Sequence, residues 1–224
     1  MNAAEIFFNS EVLAQSFPIL LRGLGMTLLL GFTAIFFGSA LGILVALARL
    51  FGPRPVSLLA VVFIDLMRAL PVLVVLILIY YALPFAGITL SSFAAAAIAL
   101  SLVLSAYTAE VVRAGIEAVP KGQFEASSAL GIGFWVMMRK VILPQAVRLV
   151  IPPHASNCVS IIKDTSLASV VAMTDLLKQA TDAQALFANP SPLIGAALIY
   201  VAILWPMVRL TGWLERRYRR ERMR

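Results

Sequence analysis

Long apolar runs dominate the chain and are interrupted at only a few places by charge, glycine or proline. A helix needs about 20 apolar residues to cross the hydrocarbon of a bilayer. Leu24 to Leu47 meets that requirement without a charge. Val56 to Leu83 is long enough but carries Asp65, Arg68 and Pro71, so its charged third is expected near one interface, with a kink at the proline. Leu90 to Ala109 is a third span, whose alanine-rich face lets a neighbouring helix approach closely. Val150 to Met173 is the least regular, with Pro152 and Pro153 at one end and Lys163 and Asp164 inside it, and Leu193 to Leu214 is the fifth. The pattern predicts an all-α integral membrane protein with five transmembrane helices. No repeat of 20 to 50 residues is visible, and five spans do not divide into two inverted halves.

Composition agrees: 61% of the residues are hydrophobic, 13% are charged, and the mean hydropathy is +0.95, outside the range of soluble domains. The formal charge of +7 does not point to nucleic acid, because Arg216, Arg217, Arg219, Arg220, Arg222 and Arg224 follow directly on an apolar span. That is the pattern of a cytoplasmic anchor beside anionic lipid. Lys and Arg also crowd the connections between spans one and two (Arg49, Arg54) and three and four (Arg113, Lys121, Arg139, Lys140, Arg148). The segment up to Pro18 and the connection around Pro84 to Leu90 have none. The charge asymmetry predicts an outer N-terminus and a cytoplasmic C-terminus. We therefore divide the chain into an extracytoplasmic segment (1–21), a membrane domain (22–214) with a cytoplasmic loop at about 117–144, and a basic cytoplasmic tail (215–224). No basic residue precedes Arg22, the wrong flank for a cleavable signal peptide. Cys158, the single cysteine, has no intrachain partner and reads as small core filler.

The loop has its own chemistry. Pro120 suits the first position of a short helix, and Gly131 suits the left-handed position after its end. Gly133 permits a second turn, and a second short helix from Phe134 to Val141 is expected to end at Pro144. Ala126, Ser127, Ser128 and Ala129 are small enough to enter a groove on another protein, and Glu125 offers a charge. Two readings stand at this point: capped helices lying on lipid headgroups, or a compact knob that another protein grips.

Ala106-Tyr107-Thr108-Ala109-Glu110-Val111-Val112-Arg113, then Val119-Pro120-Lys121-Gly122-Gln123-Phe124-Glu125-Ala126 and Ala129-Leu130-Gly131, strongly resemble the membrane permease subunits of bacterial ABC importers for polar amino acids, of the histidine, glutamine, glutamate and arginine type. Glu125-Ala126-Ser127, Gly131, Val141 and Leu143-Pro144 fall on that family's loop pattern, with Ser127 and Val141 as conservative departures. The resemblance runs from about Arg22 to Arg217. It implies the type I ABC importer fold, with this loop as the coupling helix seated in a separate ATP-binding subunit. Gly122, Gln123, Glu125, Ala126, Ser127 and Gly131 would then contact that partner, and Leu143 and Pro144 would end the helix.

Ions at a helix centre each cost about 2.5 to 3.5 kcal/mol, so each needs a partner or a purpose. Asp65 and Arg68, three residues apart, can pair on one helical face, and Glu110 and Arg113 repeat the spacing. Ile64-Asp65-Leu66-Met67-Arg68-Ala69-Leu70-Pro71 resembles the family's acidic-x-x-Arg-Gly-Thr-Pro stretch, with Ala69 and Leu70 in place of Gly and Thr. Both pairs are read as structural. Lys163 and Asp164 are adjacent, so they point about 100° apart on a helix and do not satisfy each other easily. One reading gives Lys163 a passing carboxylate, Asp164 an amine, and Thr165 and Ser166 hydroxyl contacts; the other is a polar turn at the outer face. His154 reads as a polar core group, without further ligands for a metal.

No Gly-x-x-x-x-Gly-Lys-[Ser/Thr] loop is present, and no nucleophile, base and orienter set is visible, so the chain is not expected to be an enzyme or to hold a cofactor. The expectation is a translocation subunit, with ATP and Mg²⁺ in a partner. By resemblance its partners are an ATP-binding cassette subunit, an extracytoplasmic solute-binding protein and a second permease subunit, the same chain or a paralogue. An autonomous channel or secondary carrier for small zwitterions is the alternative.

Overall fold

The computed structural model describes residues 7–222, with side chains as far as Tyr218. The start of the expected outer segment and the side chains of Arg219, Arg220, Arg222 and Arg224 lie outside the described residues. Within them the chain is helical throughout, without strands.

Helix α1 (Ser10–Phe51) starts where the Asn9 side chain accepts hydrogen bonds from the Glu11 and Val12 N–H groups. Its 42 residues span about 63 Å at 1.5 Å per residue, twice the hydrocarbon thickness. The stretch expected as a separate segment at 1–21 is therefore helical from Ser10 onward and continuous with the first span. Helix α2 (Arg54–Ala69) breaks at Leu70 and Pro71, and α3 (Val72–Ile77) continues through a π turn (Leu78–Ala82) and a 3₁₀ turn (Leu83–Ala86). The two halves meet at 106°, far beyond the kink expected of a proline. Helix α4 (Ser92–Glu117) is capped by Ser91. Two short helices follow, α5 (Lys121–Ala129) and α6 (Phe134–Met137). A π turn (Met138–Ile142) leads into α7 (Leu143–Asp164), which a 3₁₀ turn (Thr165–Val171) closes. Helix α8 (Leu176–Phe187) precedes the long α9 (Ser191–Arg222).

Helices α1, α4 and α9 are each long and apolar enough to span a bilayer, and the bent α2–α3 pair makes a fourth candidate. The expected span at Val150 to Met173 is instead α7, which begins earlier and ends at Asp164. With Pro152, Pro153, His154, Lys163 and Asp164 it has the length of a span but not the uniform apolarity.

The centre is the crossing of α1 and α4. Buried positions of α1 include Ala34, Gly38, Gly42 and Ala46, a small residue at every fourth place. A Cβ on Gly42 would stand 2.5 Å from Thr108 Cβ and 2.6 Å from the Ser105 carbonyl oxygen. On Gly38 it would meet Leu104 Cβ at 2.9 Å. Backbone approach of this kind is how helices associate in lipid, where burial of apolar surface gives no net drive. Leu30, Val103, Leu104, Ala99 and Leu100 fill the core around it.

At the opposite end from the basic connections, α8 is seated on α1. The Leu176 N–H donates to Thr27 Oγ1 at 3.0 Å, and the fully buried Asp175 caps α8 by accepting from Lys178 N and Leu177 N. Burial outweighs these bonds and pushes the Asp175 carboxyl up to about 6 from its ordinary 3.8.

Two outcomes follow. Gly42→Ala is expected to cost about 1 to 3 kcal/mol of stability, because neither Thr108 nor the Ser105 backbone can retreat. Gly25→Ala, with nothing within 4 Å, is neutral or slightly stabilising, and thermal unfolding in detergent compares the two. Between pH 4 and 6 the unfolded chain releases the Asp175 proton before the folded chain does, so stability falls as pH rises through that window and levels above it. Asp175→Asn keeps a capping oxygen and removes the titration. The difference in unfolding midpoint between wild type and variant should therefore grow from pH 4 to 6, in the variant's favour, and then stay constant.

Candidate functional site

Three features converge on the basic end of the bundle and its interior. The first is the projection made by α5 and α6. Phe124 is half-buried and packs on Ile116, Val119, Met137, Met138 and Ile142 at the feet of α4 and α7, and Ser127 is buried. Ser127 Oγ donates to the Gln123 carbonyl at 2.7 Å. Among the residues expected to meet a partner, Gly122, Gln123, Glu125, Ala126 and Gly131 are exposed, whereas Ser127 is turned inward, its hydroxyl satisfied by its own helix. Gly131 has φ +68°, and the Ile132 N–H reaches the Ser127 carbonyl, so the corner is a left-handed helix stop. Leu130 and Trp135 stand out beside it, 78% and 75% exposed. Phe134 packs edge-on against Phe51, the last residue of α1. Leu143 and Pro144 begin α7 rather than end a helix: the π turn before them lets the chain pass from α6 into α7 around the missing proline N–H.

The second feature is an ion cluster. Glu110 on α4 accepts from Arg49 Nη1 at 2.7 Å and from Arg113 through both Nη2 and Nε, while Arg113 also binds Glu117. Arg68 Nη1 lies 3.9 Å from the same Glu110 oxygen that Arg49 holds. The Asp65–Arg68 pair expected from spacing is absent: Arg68 reaches across to α4, where its guanidinium carbon sits 6.0 Å from the Tyr107 ring centre, and Asp65 is exposed without an ion pair among the described residues. One glutamate thus gathers arginines from three helices.

The third feature is a cavity of about 250 Å³ between α3, α4 and α7, lined by Val72, Val103, Leu104, Tyr107, Asn157, Ser160, Ile161 and Asp164. It is smaller than the roughly 300 Å³ at which drug-sized pockets begin, and so of a scale for a small polar solute. Of the four candidate pathway residues only Asp164 lines it. Lys163 is exposed on another face, Thr165 is buried with its hydroxyl on the Ile162 carbonyl, and Ser166 donates to the Lys163 carbonyl. Asn157, Ser160 and Asp164 form a polar stripe at the helical spacing i, i+3, i+7, a signal present in the sequence but absent from the expected site.

Residues 38–220 match the family described as binding-protein-dependent transport system inner membrane component. The chain belongs to this family. The permease is 38% identical to the probable amino-acid ABC transporter permease protein YckA of Bacillus subtilis, over 96% of this chain and 95% of that one. It is also 38% identical to the L-cystine transport system permease protein TcyB of the same organism, over 92% and 90%. A crystal structure of an amino acid ABC transporter with histidines superimposes with a TM-score of 0.87 at 35% identity, covering 92% of this chain and 96% of that chain. The methionine transporter MetNI shares the fold at a TM-score of 0.73 and 19% identity. The sequence-based recognition of an amino-acid ABC permease and of its helical importer fold thus stands, and the permease is a multi-pass protein of the inner membrane.

Inside the permease a polar clasp joins three helices. His154 on α7 lies 3.1 Å from Ser39 Oγ on α1 and 3.4 Å from Thr108 Oγ1 on α4, with Cys158 Sγ at 3.6 Å. In lipid such bonds hold helices together.

Glu110→Gln should leave three guanidinium groups facing an amide and cost about 2 kcal/mol of stability, a charged hydrogen bond being worth about 1.5 to 3. Asp182→Asn, which breaks only the exposed Lys178 pair, should cost under about 1 kcal/mol. Equal unfolding midpoints for the two variants would show that the cluster adds nothing.

Proposed function

We propose that this permease carries an amino acid across the inner membrane as one half of a pair, formed with its own copy or a paralogue. An extracytoplasmic binding protein delivers the substrate. ATP and Mg²⁺ bind on a separate cassette subunit that grips the α5–α6 projection. The names of the relatives support the substrate class, and the distribution of Lys and Arg supports an outer N-terminus and a cytoplasmic C-terminus.

One observation carries the coupling role. The projection has an outer face of Glu125, Ala126, Leu130, Gly131 and Trp135, and an inner face packed on the feet of α4 and α7. Those two helices supply seven of the eight residues that line the Asp164 cavity. A pull on the outer face therefore moves the walls of the cavity, because well-packed helices shift as bodies and do not stretch. Closure of the ATP-bound cassettes would draw the two projections of a pair together and open the cavity outward, and hydrolysis would reset it. Within the cavity Asp164 meets the substrate's amine, while Asn157, Ser160 and Tyr107 provide neutral hydrogen-bonding groups.

Leu130→Glu and Gly131→Leu are expected to lower ATP-driven amino-acid uptake by proteoliposomes at least tenfold, with insertion and pairing intact. Gly131→Leu also strains a left-handed backbone position. Normal uptake by both variants would refute the coupling role, and ion-gradient-driven uptake by the permease alone would replace it with an autonomous carrier.

A further inference from the structure

Resting on the reading that an amino acid passes the Asp164 cavity, we infer that Arg68 is the residue that takes the substrate's carboxylate at the end of the cavity nearer the ion cluster. Lys163, the cation expected in that role, is exposed on another face of α7; Arg68 does not line the cavity either, but it borders it through Tyr107, which does.

Arg68 is the one arginine of the cluster whose hydrogen bonds Glu110 does not consume. Glu110 Oε2 is already held by Arg49 at 2.7 Å and Oε1 by Arg113, which leaves Arg68 at 3.9 Å, outside hydrogen-bond range. Two carboxylates, Glu110 and Glu117, face three guanidinium groups, so one positive charge is in surplus. The Arg68 side chain is also the most exposed of the three, 41% against 21% for Arg49 and 23% for Arg113.

Its position relative to the cavity follows from two neighbours. Its guanidinium lies over the ring of Tyr107, and Tyr107 lines the cavity. Along the chain it precedes the Leu70–Pro71 break, past which the first residue of α3, Val72, lines the cavity as well. A guanidinium held over an aromatic ring is already oriented, and its planar fork matches both oxygens of a carboxylate. Asp164 and Tyr107 stand on opposing helices. From Asn157 to Asp164 the lining of α7 rises about 10 Å, longer than the backbone of one amino acid. The amine is therefore engaged at Asp164 and the carboxylate at Arg68 in succession as the solute moves inward. The substrate class that satisfies both ends is a zwitterion with a free carboxylate, and decarboxylated amines are rejected.

The test measures binding to the permease purified with its cassette subunit and without the binding protein. Two matched pairs are the probes: L-arginine with agmatine, and L-glutamine with its α-amide. The wild-type complex is expected to favour each carboxylate form at least tenfold. Arg68→Gln should abolish that preference with an unchanged unfolding midpoint, and Arg68→Lys should restore part of it. Asp164→Asn should weaken both members of each pair equally. If Arg68→Gln or, should that variant not fold, Arg68→Lys keeps the full preference while Asp164→Asn weakens binding, the Arg68 assignment is wrong and the cavity reading survives. If neither amino acid binds the wild-type complex, or Asp164→Asn binds both pairs as wild type does, the cavity reading falls and takes this inference with it.

Discussion

The close crossing of α1 and α4 is the constraint on which the rest of the structure depends. Lipid solvates apolar side chains as well as another helix does, so these helices stay together only where their backbones approach and polar groups meet. Ala34, Gly38, Gly42 and Ala46 clear a groove along α1, and Leu104, Ser105 and Thr108 of α4 occupy it. Arg49 and Glu110, each just beyond this contact on its own helix, then fall within 2.7 Å of each other. Ser39 and Thr108 likewise come to flank His154. The ion cluster and the histidine clasp are thus consequences of where four small residues sit.

Helix α7 connects this crossing to the projection and to the cavity. At its foot Ile142 and Ala146 are buried with Ile116 and Val119 under the α5–α6 projection, and at its far end Asp164 faces the cavity. Gly115 of α4 meets Val150 so tightly that an added Cβ would stand 2.4 Å from it, so the two helices cannot slide past each other in small steps. Between foot and far end His154 ties α7 to α1 and α4. A displacement imposed at the projection has to be taken up by α7 as a rigid lever or by its irregular ends, the π turn before Leu143 and the 3₁₀ turn after Asp164.

What could be seen in the sequence divides along the range of the interaction. Apolar length announced α1, α4 and α9, and local chemistry announced the helix stop at Gly131, since both are properties of contiguous residues. Pro71 announced a break but not its 106° angle, which depends on what α3 packs against. Spacing within one helix offered Asp65 to Arg68, and the choice went to Glu110 because a second helix brings it closer and presents it to three arginines. The divergence of Lys163 and Asp164 was legible, whereas the face that looks into the cavity was not. Ser127 differs for a similar reason: its small size is local and its inward turn is not, and nothing local marks Leu130 as the residue displayed beside it.

Two of the helix breaks, at Leu70–Pro71 and after Asp164, lie beside the polar cavity. Unpaired carbonyls and N–H groups cannot face lipid, so a helix breaks at membrane depth only beside protein or a hydrated cavity. The break at Leu70 and Pro71 satisfies this: Val72, the first residue beyond it, borders the Asp164 cavity, and the Val74 and Val75 N–H groups return to the Pro71 carbonyl. The 3₁₀ turn that follows Asp164 ends the other wall in the same way. A straight α2–α3 helix and an uninterrupted α7 would be better solvated by lipid. They would also leave no turned-out segments beside the cavity that the proposed function assigns to the solute.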